Sequence, residues 1–155
     1  MTDDIETGSL APEILDAFLA QPLIARIATA SPSTHRPHVV PVWFEWDGES
    51  IWISTFRSTR KIRELQANPL CSIAIDSAES GVDFRGVVFE GPAELVTAPL
   101  DFVQRKSEQI YTRYLGEEVR QPRYQEWIYD PENLLIKLTP QRANTWYSVR
   151  KDIQK

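Results

Sequence analysis

An Asp-Gly pair, Asp47-Gly48, separates two runs that are rich in β-branched and aromatic residues, 38–46 (HVVPVWFEW) and 50–55 (SIWIST). Asp-Gly between two such runs is one of the strongest short-range signals of a β-hairpin, so we expect the two runs to be antiparallel neighbours. Pro41 lies inside the first run and has no N–H group. This position is therefore confined to a sheet edge, a bulge or a point where something other than a strand, such as a ligand ring, meets the backbone.

The rest of the chain predicts short strands separated by turns and by a few helices. Strands are predicted at residues 23–30, 71–76, 84–90, 93–96, 134–138 and 143–149, and the third and fourth of these form either two strands or one strand with a bulge. Helices are predicted at residues 12–21, 59–68 and 99–115 and near 124–128. Residues 1–8 are acidic and without pattern, which predicts a loose terminus. The absence of regular βαβ alternation favours a mainly β fold, an antiparallel barrel with peripheral helices.

Composition limits the classes of function that fit. At 155 residues and 42% apolar, the chain fits a single domain over residues 1–155. The net charge of −5 argues against a general nucleic-acid or membrane-surface role and suits a small anionic ligand better. The first twenty residues have no secretory pattern and no run is long enough to span a membrane, so the expected location is cytoplasmic. The single cysteine, Cys71, excludes an internal disulfide framework.

A cationic cluster interrupts this acidic chain, with four cations in seven residues: Arg57, Arg60, Lys61 and Arg63. Ser58 or Thr59 is a natural N-cap, which places the cluster at the start of a helix. Cations are unfavourable there, since the helix dipole already contributes about half a positive charge, and a bound anion would offset the cost. Hydroxyls nearby would add donors to such a site: Ser54, Thr55, Ser58 and Thr59. The alternative is that Arg60 and Lys61 pair with Glu64 on a solvated helix face.

Other patterns carry less chemistry. His35 and His38 form an H-x-x-H pair without further ligands at metal-binding spacing, so no metal site is predicted. Five tryptophans suit core and interface positions, and Trp146 is interpreted either as a core residue or as a ring close to a cofactor. No paired carboxylates and no Ser-His-Asp arrangement are evident, so no catalytic acid or base is assigned.

The order of these segments resembles the flavin-binding split β-barrel proteins related to pyridoxamine 5′-phosphate oxidase. The resemblance runs over residues 23–96 and rests on HVVPVWFEWDG, STRKIRELQANP and GVVFEGPAEL in this order, with a weaker echo in TPQRANTW. It implies an antiparallel split β-barrel of the FMN-binding type and a homodimer with two FMN sites at the interface. The FMN phosphate would be held by four residues: Thr55, Thr59, Arg60 and Lys61. The isoalloxazine edge would lie along the backbone of Val40, Pro41, Val42 and Trp43.

Departures from the family pattern limit what the resemblance implies about the substrate. The true oxidase has a basic residue at each end of the strand before the hairpin and an Arg-Leu-x-Pro signature near its C-terminus, whereas residues 39–44 here are apolar and the chain ends in SVRKDIQK. The resemblance therefore favours an FMN-dependent oxidoreductase that acts on an unidentified small organic substrate other than pyridoxamine phosphate. The alternatives are a deazaflavin-dependent reductase of the same fold and a non-catalytic flavin- or haem-binding protein.

Overall fold

A computed structural model describes residues 4–151 as one sheet of nine strands with helices around it. The strands are β1 (Ile5–Gly8), β2 (Ala25–Ala30), β3 (Pro37–Val42), β4 (Glu45–Trp46), β5 (Ile51–Phe56), β6 (Leu70–Ala78), β7 (Phe84–Val96), β8 (Asn133–Leu138) and β9 (Arg142–Arg150). The α-helices are α1 (Pro12–Leu19), α2 (Arg60–Ala67), α3 (Leu100–Leu115) and α4 (Pro122–Ile128), and a 3₁₀ helix covers Gly116–Arg120. No helix in the range 4–151 is both long and apolar enough to cross a membrane.

The sheet is antiparallel and curls into a split barrel, as predicted. Its strand order is β3-β2-β6-β7-β8-β5-β4, and β9 joins β7 beside this path. β7 is a single strand of 13 residues that serves both halves, since Phe84–Glu90 pair with β9 and Ala93–Val96 pair with β8. The change of partner falls at Gly91-Pro92, because proline has no N–H group to continue a ladder. β3 and β4 therefore stand at opposite ends of the path.

The core follows the period-2 alternation of the strands. In β5, Ile51 and Ile53 point into the barrel and are fully buried with Ile27 and Ile73 from the facing strands. Trp52, between them in sequence, points to the outer side and packs against α3 in a second apolar cluster. A single strand thus separates the barrel interior from the layer that α3 covers.

The N-terminal segment is a strand rather than the loose terminus that we predicted. Residues 5–8 form β1, which pairs with β9 from Ile5↔Arg150 to Gly8↔Tyr147. The Tyr147 ring lies so close to Gly8 that a Cβ atom on Gly8 would stand 2.9 Å from it. The partner strand is about 140 residues away along the chain, so no local pattern could reveal the pairing. Residues 1–3 of the predicted loose segment lie outside the described residues.

The predicted hairpin around Asp47-Gly48 is only partly correct. β5 pairs with the two residues of β4, whereas the longer β3 pairs with β2. The break falls at Trp43 and Phe44, where α3 takes over the backbone groups of Phe44. The Phe44 N–H donates to the Tyr114 hydroxyl at 3.1 Å, and Arg113 Nε donates to the Phe44 carbonyl at 3.1 Å. These side chains replace strand partners at this point.

Candidate functional site

A cavity of about 470 Å³ opens between β3, β5, α3 and α4, and we call it the aromatic cavity. Four of the predicted site residues line it: Pro41, Val42, Trp43 and Ser54. The other lining residues come from the chain before β2 and from the two helices: Ile24, Ile110, Tyr111 and Trp127. No charged side chain is among these eight, so the cavity suits a flat, largely apolar group.

One side of this cavity is formed by β3, along which the resemblance places the edge of the coenzyme ring. In residues 4–151 it pairs with β2 alone, so its other edge carries backbone groups that no strand engages. Pro41 stands on this edge strand, in agreement with the restriction that its missing N–H imposes. Val40 and Val42 pack against the barrel core, which fixes the strand in place. The free edge is thus rigid and able to pair with the polar rim of a ligand.

Aromatic rings from α3 and α4 build the opposite wall. Trp43 stacks on Tyr114 with ring centroids 4.9 Å apart and planes 5° from parallel. It also meets Tyr111 edge-on at 5.3 Å, and Tyr111 in turn meets Trp127 edge-on at 6.5 Å. From the sequence, these residues were predicted only to lie in helices. The usable signal was the spacing of three between Tyr111 and Tyr114, which puts both rings on one side of the helix.

Tyr111 supplies a hydrogen-bond donor to this otherwise apolar wall. Its ring is half-buried, and burial raises the pKa of its phenol, so the hydroxyl keeps its proton near neutral pH. Within the part of the chain that the structure describes, no side chain or backbone group bonds to this hydroxyl. It is therefore available to a ligand in the cavity.

Ser54 lines the cavity, but its hydroxyl belongs to a buried polar network. Its Oγ lies 2.9 Å from both Ser107 Oγ and Asn133 Oδ1, and the Asn133 amide donates onward to Ser107 Oγ and to the Ile128 carbonyl. The network ties β5 to α3 and to the end of α4. Thr55 lies on the opposite face of β5, as the strand period requires, so these two predicted residues point in different directions.

The start of α2 is open, as an anion site requires. Thr59 occupies the N-cap position, but its hydroxyl donates to the Phe56 carbonyl at 2.9 Å instead of capping the helix. The first turn of α2 also has no acidic residue. The predicted capping bond is thus not made, and the first N–H groups of the helix have no side-chain acceptor. Such groups, aligned with the helix dipole, are suited to binding an anion.

The two cations that follow behave differently. Arg60 Nε pairs with Glu64 at 2.8 Å, so the alternative of pairing on the helix face holds for Arg60. Lys61 is half-buried and has no ion pair within residues 4–151, and burial lowers the pKa of its ammonium group. A partly desolvated cation without a counter-charge is unfavourable. A phosphate at the start of α2 would supply the missing charge.

Seven of the nine predicted residues therefore fall into two groups, whereas Val40 packs against the barrel core and Thr55 lies on the face of β5 opposite Ser54. Pro41, Val42, Trp43 and Ser54 line the aromatic cavity, whereas Thr59, Arg60 and Lys61 stand at the start of α2, which begins four residues after β5 ends. The apolar cavity suits a flat ring system, and the open helix start suits an anion. In residues 4–151 no group of three His, Cys, Asp or Glu side chains is placed to hold a metal ion.

Comparisons with known proteins agree with this fold. The sequence profile of the pyridoxamine 5′-phosphate oxidase family matches residues 11–147. Among solved structures, the conserved hypothetical protein Rv2991 from Mycobacterium tuberculosis superimposes with a TM-score of 0.76 at 23% identity, covering 89% of this chain and 85% of that one.

Two further structures of the same fold bear names that mention a coenzyme. An F420 reductase has a TM-score of 0.65 at 23% identity, covering 83% of this chain and 94% of its own. A FAD-binding protein from Mesorhizobium loti has a TM-score of 0.70 at 16% identity, covering 94% and 98%. At these identities the likeness establishes the fold alone. A search of curated protein sequences found no match.

Proposed function

The chain belongs to the pyridoxamine 5′-phosphate oxidase family, and we propose that it is a flavin-dependent oxidoreductase that transfers a hydride between its coenzyme and a small organic substrate. The observation that carries the proposal is the uncapped start of α2 beside Lys61, a half-buried cation for which residues 4–151 offer no ion pair. FMN is the shortest coenzyme that would satisfy this site. The same residues would bind the phosphate of a deazaflavin coenzyme.

The phosphate would be bound by charge and by hydroxyl groups together. Lys61 and the free N–H groups of the first turn of α2 would contribute most, and Thr59 and Arg60 would add contacts from the same turn. Thr55 is 7% exposed, and its hydroxyl would add a further hydrogen bond. Hydrogen bonds to a charged group contribute about 1.5–3 kcal/mol each, so a few of them account for firm binding.

The ring would lie in the aromatic cavity, along the free edge of β3. The flavin, when bound, supplies the hydride chemistry. The protein would orient the ring through the backbone of residues 40–43 and exclude water with Trp43 and Trp127. The phenol of Tyr111, which stays protonated, would offer a hydrogen bond to the ring or to the substrate.

A phosphorylated vitamin is a poor fit as the substrate. The lining of the aromatic cavity contains no cation that would pair with a second phosphate, and residues 39–44 are apolar. Burial of an unpaired phosphate against such a wall would be costly. We therefore propose a neutral organic substrate instead of pyridoxamine phosphate.

A homodimer with the site at the interface is part of this proposal. Across the outer face of the sheet, Val39, Ala28 and Ser72 form one row by strand register, and Val39 is 63% exposed. A flat row of small and apolar groups suits burial against a second copy. Light scattering on the purified protein tests this point, and a monomeric mass would contradict it.

An absorption spectrum of the protein as purified, followed by titration with FMN, tests the proposed function. We expect a bound flavin, or saturable uptake of FMN, and turnover when a reduced nicotinamide donor and neutral acceptors are supplied. A protein that takes up no flavin coenzyme would overturn the proposal. Flavin binding without turnover, or a haem spectrum, would instead favour the non-catalytic alternative.

A further inference from the structure

A second hollow, of about 320 Å³, lies between α1 and the strands β7 and β9, and we call it the α1 pocket. Arg85 and Tyr147 supply polar groups to its lining. Four further lining residues are apolar: Leu10, Ala11, Ile14 and Val149. The α1 pocket shares no lining residue with the aromatic cavity, so it is a separate site, and its volume suits a small molecule.

Strand alternation places Arg85 and Tyr147 side by side in the α1 pocket. The two residues are partners in the β7–β9 register, so their side chains point to the same side of the sheet. Val87, two residues after Arg85 in β7, points to that side as well and is fully buried in the barrel core. The α1 pocket is therefore a place where the core side of the sheet opens to solvent.

Hydrogen bonds hold the walls of the α1 pocket in place without a ligand. The Leu10 N–H donates to Thr145 Oγ1 at 2.9 Å, which ties the segment before α1 to β9. The Tyr147 hydroxyl donates to the Glu6 carboxylate at 2.8 Å, and the Tyr147 ring lies over Gly8. Because these walls are already ordered, a ligand that binds between them pays little for ordering them.

Arg85 gives the α1 pocket a positive charge without a counter-charge. Its side chain is half-buried, and its partners in the strand register are Ser77 on β6 and Tyr147 on β9, neither of which carries a negative charge. In residues 4–151 the Arg85 guanidinium makes no ion pair. Glu6, on the neighbouring β1, is occupied by the Tyr147 hydroxyl. The guanidinium is therefore able to bind an incoming anion.

We propose that the α1 pocket is a second binding site, which takes a small organic carboxylate with a compact apolar body such as an aryl ring. Arg85 would bind the carboxylate through two parallel hydrogen bonds. The apolar lining would cover the body of the ligand, and Ile14, which is 47% exposed, would lose contact with water. An inorganic anion would leave this apolar wall uncovered, and a hydrocarbon would bury the guanidinium without a partner. The two features together thus select an amphipathic acid.

Titration of ¹⁵N-labelled protein with 3-phenylpropanoate, followed through the amide chemical shifts, tests the site. We expect saturable shifts at Leu10, Ala11 and Tyr147, with a Kd on the order of 0.1–1 mM for a ligand of about eleven non-hydrogen atoms. 3-Phenylpropanamide lacks the charge and acetate lacks the ring, so each should bind at least about fivefold more weakly. Equal affinities for the acid and the amide, or shifts confined to the aromatic cavity, would overturn the inference. This comparison uses wild-type protein and does not depend on the folding of a variant.

Substitutions test the two halves of the α1 pocket. Arg85→Gln should weaken 3-phenylpropanoate at least about fivefold and bring the acid and the amide to similar affinities. Ile14→Ser should weaken both about two- to threefold, since it removes apolar contact alone. Arg105→Gln is the matched control, because it removes an exposed cation from α3. Wild-type affinity in Arg85→Gln would overturn the inference.

The same titration with FMN present separates this inference from the proposed function. Because the α1 pocket and the aromatic cavity share no residue, the Kd of 3-phenylpropanoate should be the same with and without FMN. Displacement of the probe by FMN would overturn the inference and leave the proposed function intact. A protein that binds the probe in the α1 pocket but takes up no flavin coenzyme would support the inference and overturn the proposed function.

Discussion

The Thr29 hydroxyl donates a hydrogen bond of 2.5 Å to the Glu64 carboxylate, and both residues are buried. Thr29 belongs to β2 and Glu64 to α2. This bond therefore joins α2, at whose start the phosphate is proposed to bind, to the strand beside β3. Glu64 also holds Arg60 at 2.8 Å. One carboxylate therefore sets both the position of α2 against the sheet and the orientation of a cation at the site.

Glu64→Gln should destabilise the protein. The substitution removes the charge from two short hydrogen bonds inside a packed region, so the free energy of unfolding should fall by about 1.5–3 kcal/mol. Urea denaturation followed by tryptophan fluorescence measures the change. Glu126→Gln, on the exposed side of α4, should stay within about 0.5 kcal/mol of wild type. Equal small effects of the two substitutions would show that the Thr29–Glu64 bond contributes little.

The Glu64 carboxylate should also account for part of the loss of protein stability in acid. The Thr29 hydrogen bond, and then Arg60, hold the pKa of Glu64 below its ordinary value of 4.5. A group whose pKa is lower in the folded state stabilises the fold above its unfolded pKa, and that contribution is lost as pH falls through the folded pKa. Wild type should therefore lose stability below about pH 4.5, and Glu64→Gln should lose less over the same range. Parallel acid curves for the two proteins would contradict this assignment.

Lys61→Ala should weaken coenzyme binding more than Arg60→Ala does. Lys61 has no ion pair within the described residues, whereas Arg60 already shares its charge with Glu64. Loss of a charged hydrogen bond to phosphate costs about 1.5–3 kcal/mol, or roughly ten- to hundredfold in Kd. Isothermal titration with FMN measures this. Arg57→Ala is the control, because Arg57 lies 4.0 Å from Glu132 and is half-exposed. FMN affinity that is unchanged in both Lys61→Ala and Arg60→Ala would remove the phosphate assignment.

Much of the fold could be predicted from sequence because its signals are local. The bounds of α3 were predicted to within one residue, from the apolar spacing and from Pro99 before its first turn. For β7 the sequence predicted either two strands or one strand with a bulge. Gly91-Pro92 indicates an interruption but does not show that the strand continues through it. The β1–β9 pair could not be foreseen, because it joins the two ends of the chain.

The candidate site was harder to predict, for a physical reason. Sequence spacing placed the cations at a helix start but could not show that Glu64 pairs with Arg60 and not with Lys61. The aromatic wall was missed because Tyr111 meets Trp43, and Trp127 meets Tyr111, only after α3 and α4 fold back onto β3. Such contacts depend on tertiary packing, which a local pattern does not record.

Tyr114→Phe should loosen the wall of the aromatic cavity. The Tyr114 hydroxyl donates to the Leu23 carbonyl at 2.6 Å and accepts the Phe44 N–H at 3.1 Å, so its removal leaves two partly buried backbone groups without partners. We expect a loss of about 1–3 kcal/mol in stability, together with weaker FMN binding because Trp43 stacks on this ring. Tyr129→Phe is the matched control, because Tyr129 is 51% exposed. A Tyr114→Phe protein with wild-type stability would show that water replaces the hydroxyl without cost.

Gly86→Ala should disturb the pairing of β7 with β9. Gly86 lies opposite Trp146 in the register, and an added Cβ would stand 2.4 Å from Trp146 Cζ2. Trp146 thus packs over a glycine on the sheet and is not among the residues that line the aromatic cavity. Because the indole must shift to admit a methyl group, we expect a loss of about 1–3 kcal/mol in the free energy of unfolding.

Gly81→Ala, where an added Cβ meets no atom within 4 Å, should be nearly neutral. Coenzyme affinity should stay at the wild-type level in Gly86→Ala, and a large loss of binding without a loss of stability would place Trp146 beside the coenzyme after all.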